Sequence, residues 1–196
     1  MTAKILVCLA PGTEELEAIT VIDILERAKF DVTIASTAFD GALTMKAAQR
    51  VTLTADVKLV EVADEEFDCI VLPGGLKGAE NFRDSTLLIE MLKQQKYDEK
   101  WVAAICAAPA VVLQHHNLYP DARMTCYPSF MNTIPKDNLR IKRVFTDVLN
   151  HLITSQGPGS ALEFAMEIVT LLGGKELTAK LAAELVTLPN LNYHQI

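Results

Sequence analysis

The chain has 196 residues, half of them hydrophobic and 22% charged, with a formal net charge of −7. This composition excludes a disordered chain, and the acidic balance argues against a nonspecific grip on nucleic-acid backbone, though not against a local basic patch. The four cysteines, Cys8, Cys69, Cys106 and Cys126, are too sparse for a disulfide-built scaffold and show no CxxC spacing. A reduced, cytoplasmic setting is the expectation.

The elements follow in chain order. The run Ile5 to Ala10 is too short for a secretory signal and reads as part of a buried strand, Lys4–Leu9. No stretch reaches the ~18 apolar residues of a membrane span, so no membrane partner is expected. Pro11-Gly12 turns the chain, and Thr13 is expected to cap a helix running to about Ala28. After its first turn that helix is apolar nearly all round, from Leu16 to Leu25, which predicts deep burial. Asp31–Ser36 is a β-branched strand, and Val51–Thr54 alternates like a half-exposed one. Cys69–Leu72 is a buried strand ended by Pro73-Gly74-Gly75, followed by a helix from about Ser85 to Gln95. Trp101–Ile105 is a further buried strand, and Ala107–His115 a short helix. Residues 124–147 read as small strands and loops. Leu152–Thr154 is a last short strand, closed by Gln156-Gly157-Pro158-Gly159. Ser160 and Glu163 suggest a capping box for a helix to about Leu172, and Leu177–Leu185 forms a terminal helix. This alternation predicts one α/β domain over residues 1–196, a mainly parallel sheet covered by helices on both faces. In such folds sites gather where strands end and helices begin.

Cys106 stands at such a place, between the strand ending at Ile105 and a helix whose first turn suits Pro109. Small neighbours permit a sharp bend, as in a nucleophile elbow, and a helix N-terminus is expected to lower the thiol pKa. Local sequence leaves two readings open: a nucleophile, or an inert cysteine in a tight turn. Cys8 and Cys69 read as core. Cys126 reads as lying near a surface or a site, where it is a candidate oxidation partner. His115, His116, His151 and His194 show no zinc-type spacing with cysteines or carboxylates, so no metal is expected.

A nucleophile needs a proton partner. Glu17 shares a helix face with Val21 and Ile24, and burial there would raise its pKa. Glu15, on a face with Ile19 and Ile22, is not excluded by periodicity; Glu14 reads as solvated. Leu72-Pro73-Gly74-Gly75 and the Gln156–Ser160 turn are each able to offer backbone N–H groups as an oxyanion hole. Neither is a GxGxxG or P-loop pattern, so nucleotide binding has little support.

Four segments occur together in order: Ala10-Pro11-Gly12-Thr13-Glu14-Glu15-Leu16-Glu17, Val71-Leu72-Pro73-Gly74-Gly75, Ala103-Ala104-Ile105-Cys106-Ala107-Ala108-Pro109 and Thr154-Ser155-Gln156-Gly157-Pro158-Gly159. In this the chain resembles the ThiJ/PfpI superfamily, and within it the Parkinson-disease deglycase branch. The resemblance implies a flavodoxin-like three-layer α/β/α sandwich and a homodimer. It implies that Cys106 is the reactive, oxidation-sensitive nucleophile and Glu17 its protonated partner. The N–H groups of Gly75 and Ala107 would form the anion pocket, with Arg27 near its dimer side. A family arginine near residues 48–50 falls on either Gln49 or Arg50. The chain departs from the family at Tyr127, where a histidine often precedes Pro128, so a Cys–Glu pair replaces a Cys–His–acid triad. The implied activity is cofactor-independent glyoxalase or deglycase chemistry on small dicarbonyls or on their adducts with protein and nucleic acid, without a stable nucleic-acid complex. The alternative is a redox-responsive chaperone or sensor working through oxidation of Cys106.

Overall fold

In the computed structural model the described residues are 2–187; His194 lies outside them. The elements are β1 (Lys4–Leu9), α1 (Glu15–Arg27), β2 (Asp31–Ser36), β3 (Thr44–Lys46), β4 (Thr52–Thr54), β5 (Val57–Lys58), β6 (Cys69–Leu72), α2 (Leu76–Asp84), α3 (Thr86–Tyr97) and β7 (Trp101–Ile105). A π-type turn at Pro109–Gln114 and a 3-10 segment at Pro128–Thr133 follow, then β8 (Val144–Asp147), β9 (Leu152–Ser155), α4 (Ala161–Gly173) and α5 (Lys175–Glu184).

The main sheet has seven strands in the order β5-β2-β1-β6-β7-β9-β8. Every neighbouring pair in it is parallel except β8 with β9. The continuous apolar runs explain the central strands: β1, β6, β7 and β9 are buried along nearly their whole length because helices cover both faces. One face carries α1, α4 and α5; α2, α3 and the π turn pack over the other. This is the doubly wound, flavodoxin-like α/β fold. The chain builds outward from β1 to β2, then returns to place β6 on β1's other side. That reversal opens a crevice at the C-terminal ends of β1 and β6. Among the described residues no helix is long and apolar enough to cross a membrane.

Several local expectations are corrected. Thr13 does not cap α1; its hydroxyl turns back to accept from the Ala10 N–H at 2.9 Å, and Glu14 occupies the cap position without a side-chain bond. Nor is α1 buried all round: Leu16 and Ile19 are half exposed, because α4 and the sheet cover only the Ala18–Val21–Leu25 side. The capping box at Ser160 and Glu163 does not form. Ser160 Oγ instead closes its own turn on Gly157, and Glu163 is taken by Arg143 in a bidentate ion pair. The helix α2 has no counterpart in the hydrophobic pattern. Its buried face is built from Gly78, Ala79 and Phe82, and a Cβ on Gly78 would lie 2.7 Å from Thr13 Cα. The helix packs too closely for large side chains, so the periodic signal is missing. The alternating Val51–Thr54 stretch is half of an antiparallel hairpin, β3 with β4.

Candidate active site

Three Gly/Pro-rich strand ends meet in the crevice. The turn after β1 is tied to the turn after β6 by the Glu14 N–H on the Gly74 carbonyl at 2.9 Å. Gly75, at φ +80°, starts α2 and passes so close to the β1 turn that a Cβ there would lie 2.7 Å from Glu14 N. Only glycine combines that backbone region with that approach.

Cys106 directly follows β7 and is 9% exposed. Its φ is +65°, a left-handed conformation that costs a non-glycine residue about 1–2 kcal/mol. Two bonds hold it there: its N–H donates to Ser155 O at 2.9 Å, and its carbonyl accepts from Tyr127 N at 2.8 Å. The expected elbow is therefore present, gripped from β9 on one side and from the 124–128 segment on the other. The helical piece behind it is short and of π type, six residues from Pro109, rather than the regular Ala107–His115 helix expected.

Glu17, one turn into α1, is fully buried. Its Oε2 accepts from the Gly74 N–H at 2.6 Å, and the same oxygen faces Cys106 across that glycine. Its Oε1 has no partner among the described residues. Gly74 is small by necessity: a Cβ there would clash with Cys106 Cβ, lie 2.6 Å from Glu17 Oε2 and 3.0 Å from the sulfur. The N–H groups of Gly75 and Ala107 lie near enough to the Cys106 sulfur to favour its charged form. The structure thus brings Cys106, Glu17, Gly75 and Ala107 together as expected. In the second glycine turn three N–H groups are already spent: Gln156 on Arg143 O at 3.0 Å, Gly157 on Ser160 Oγ at 3.2 Å and Ser160 on Gly157 O at 2.8 Å.

The electrostatics correct one expectation. Burial pushes Glu17 up to about 7, against the Gly74 and Cys106 hydrogen bonds, which lower it. Burial, and then the Glu17 charge, push the Cys106 thiol up to about 12, although the Gly75 and Ala107 N–H groups pull it down. The sequence expectation of a depressed thiol pKa omits the carboxyl that faces it. The lower value is that of Glu17, so the carboxyl ionises before the thiol, and a thiolate requires the thiol proton to move onto Glu17.

Glu15 has a different task. Burial opposes its charge, but backbone N–H groups outweigh burial and hold its carboxyl below the usual range. It accepts from Gln49 N at 2.9 and 3.0 Å and from Val51 N at 3.2 Å, so it pins the turn between β3 and β4 over the start of α1. Gln49 and Arg50 are both exposed on that turn, and Arg50 is left-handed, at φ +74°. Arg27 is not in the pocket of its own chain. It lies at the far end of α1, ten residues or ~15 Å from Glu17, and pairs with Asp23 at 2.8 Å. Cys126 is fully buried, its Sγ 3.4 Å from Tyr127 O, rather than near a surface. Cys8 and Cys69 are core. Sequence reasoning missed Ser155 and Arg143: their part is played by backbone carbonyls and by pairing across strands, which no local pattern marks. Among the described residues no group of three or more His, Cys, Asp or Glu is arranged to hold a metal ion.

Fold and site together define a class: doubly wound α/β proteins with a cysteine at a strand-to-helix elbow and a buried carboxyl beside it. The chain belongs to the DJ-1/PfpI family, whose model matches residues 3–171. It is 38% identical over 192 residues to Protein dj-1beta of Drosophila melanogaster, covering 97% of this chain and 100% of that protein. To Protein DJ-1 homolog B of Arabidopsis thaliana it is 43% identical over 175 residues, which is 89% of this chain but 39% of that longer protein. A third relative, at 32% identity over 90% of this chain and 92% of its own length, is named glutathione-independent glyoxalase DJR-1.2, from Caenorhabditis elegans. Among solved structures, VC2308 protein superposes with TM-score 0.93 at 43% identity, covering 96% of this chain and 95% of that one. Oxidized Toxoplasma gondii DJ-1 gives 0.91 at 41%, covering 95% and 99%.

Proposed function

We propose that the protein is a cofactor-independent glyoxalase or deglycase in which Cys106 is the nucleophile and Glu17 the proton carrier. The single observation that carries this is the buried Glu17 carboxyl set against the Cys106 sulfur across Gly74, whose missing Cβ would lie 2.6 Å from Glu17 Oε2 and 3.0 Å from the sulfur. The glyoxalase named among the relatives supports the substrate class, reactive α-dicarbonyls.

The scheme follows from the order of the two pKa values. Glu17 takes the Cys106 thiol proton as the sulfur adds to the aldehyde carbon of an α-oxoaldehyde, forming the C–S bond, and the carbonyl oxygen then takes that proton from Glu17. The product is a hemithioacetal, and Glu17 is now a carboxylate. A carboxylate whose pKa is lifted to about 7 is a competent base at neutral pH. It removes the proton from the hemithioacetal carbon and returns one to the adjacent carbon, while the hydroxyl proton passes to the neighbouring keto oxygen through the enediol, which converts the hemithioacetal to a 2-hydroxy thioester. Water cleaves the C–S bond, releasing the 2-hydroxy acid and the thiol. Glu17 is held in place for both transfers by Gly74.

The deciding experiment is methylglyoxal consumption with detection of lactate, for wild type and Cys106→Ala. Loss of turnover in the variant is expected. Turnover that persists overturns the scheme. Absence of turnover in wild type, with protection against aggregation that depends on oxidised Cys106, favours a redox chaperone instead. We also propose a homodimer, supported by the exposed Leu16 and Ile19 on one side of α1.

A further inference from the structure

Tyr127 is tied to the cysteine at one end and to the far side of the cleft at the other. Its backbone N–H donates to the Cys106 carbonyl at 2.8 Å. Its ring lies against Gly157: a Cβ built on that glycine would come within 3.2 Å of the ring's Cδ2 and 3.6 Å of its Cε2. Gly157 stands two residues after Ser155, whose carbonyl holds the Cys106 N–H. The ring therefore spans the flank between the two segments that grip Cys106. It is 43% exposed, with Phe130 beside it at a centroid distance of 6.4 Å, so part of it is packed and part is open to solvent. Glu17 and Gly74 close one side of the sulfur, where even a methyl group has no room.

We propose that Tyr127, seated on Gly157, is the specificity-determining wall of the Cys106 cleft, admitting free two- and three-carbon α-oxoaldehydes and excluding those with a bulky group on the keto carbon. This rests on the reading of Cys106 as a nucleophile toward dicarbonyls, and it narrows the substrate from macromolecular adducts to small free molecules. Glu17 supplies the proton transfers, so the contribution of the tyrosine is shape. An aromatic ring has two side-chain torsions, and here a backbone bond fixes its root and Gly157 fixes its face. Such a wall cannot retreat without breaking one of these contacts. One extra methylene in a fixed pocket already changes kcat/KM by about 10-fold or more, so an aryl group in place of a methyl is strongly rejected. Gly157 is part of the device, because a Cβ there would press on the ring and shift it by a few tenths of an ångström.

The test compares methylglyoxal with phenylglyoxal for wild type, Tyr127→Ala, Tyr127→Leu and Tyr127→Phe. The ratio of kcat/KM for phenylglyoxal to that for methylglyoxal is expected to rise by about tenfold or more in Tyr127→Ala. Tyr127→Leu, which keeps more of the apolar packing, is expected to rise by less. Tyr127→Phe keeps the wild-type ratio. Equal changes for both substrates in the Ala and Leu variants overturn the proposal. A second readout is independent of dicarbonyl turnover: alkylation of Cys106 by iodoacetamide and by N-phenylmaleimide. Selective acceleration of the bulky reagent in Tyr127→Ala supports the wall even where no variant consumes dicarbonyls, an outcome that would sink the proposed function alone. Equal acceleration of both reagents overturns the wall.

Discussion

The Glu17 carboxyl and the Cys106 sulfur face each other across Gly74: a Cβ on that glycine would lie 2.6 Å from Glu17 Oε2 and 3.0 Å from the sulfur, and the Gly74 N–H donates to the same oxygen at 2.6 Å. Burial raises both pKa values; the Glu17 charge raises that of Cys106 further, whereas Gly74 and Cys106 lower that of Glu17, so the two titrate as a coupled pair.

Replacing Glu17 by Gln separates the two parts of that site. Glutamine keeps an acceptor for Gly74 but carries no charge toward Cys106. The thiol pKa is therefore expected to fall, and alkylation against pH should show its midpoint moved to lower pH. Dicarbonyl turnover should nevertheless drop by roughly 10²- to 10⁴-fold, since the proton carrier is gone. A midpoint that rises, or turnover that survives, contradicts the shared-proton picture.

Stability should carry the same signature. The Glu17 pKa is raised from 4.5 to about 7 on folding, so the folded state binds more protons than the unfolded one in that interval. This contribution is fully present below pH ~4.5 and is lost as pH rises through ~7. Glu15 is opposite in sign: its carboxyl is held low, so its contribution is present at neutral pH and lost in acid. Chemical denaturation across pH should show wild type losing stability between about pH 4.5 and 7 relative to Glu17→Gln. Parallel curves for the two proteins would disprove the buried-acid assignment.

The left-handed backbone at Cys106 predicts an inverted preference. At most positions alanine is more stabilising than glycine. At φ +65° the order should reverse, with Cys106→Gly more stable than Cys106→Ala by about 1 kcal/mol. Melting temperatures of the two variants decide it.

Gly74→Ala tests how tightly the pair is packed. Its Cβ has no space between Cys106 and Glu17. Overpacking of this kind costs typically 1–3 kcal/mol and drives the partners apart. The variant should melt earlier, and its Cys106 should approach the behaviour seen in Glu17→Gln. An unchanged melting temperature would mean that the crevice can widen freely.

The proposed dimer is tested on the same helix. Leu16→Lys and Ile19→Lys replace two half-exposed apolar residues. Sedimentation should show a dimer for wild type and a monomer for the double variant. Identical sedimentation of the two proteins would place any interface elsewhere.

Much of this architecture was legible before any coordinates. Buried strands announce themselves as unbroken apolar runs, and β1, β6 and β7 lie where such runs stand, while β2 stands where the sequence is rich in β-branched residues. Glu17 was legible too, because it shares a helical face with Val21 and Ile24, both buried. The helix α2 was not, since its buried face is made of small residues chosen for close approach to Thr13. Nor was the hairpin of β3 and β4, whose short strands carry few apolar side chains.

The sequence by itself determined the alternation of strand and helix, the family, and which cysteine and which carboxyls stand at strand ends. Only the tertiary structure decided between Glu15 and Glu17. Both are on the first turns of α1 and both are buried, yet one meets the backbone N–H groups of Gln49 and Val51 and the other meets a sulfur. Donors hold the first carboxyl charged, whereas burial beside a second acid keeps the other ready to hold a proton. That difference lies in what crosses over from β6, β7 and the β3–β4 turn, at separations in sequence that no local pattern encodes.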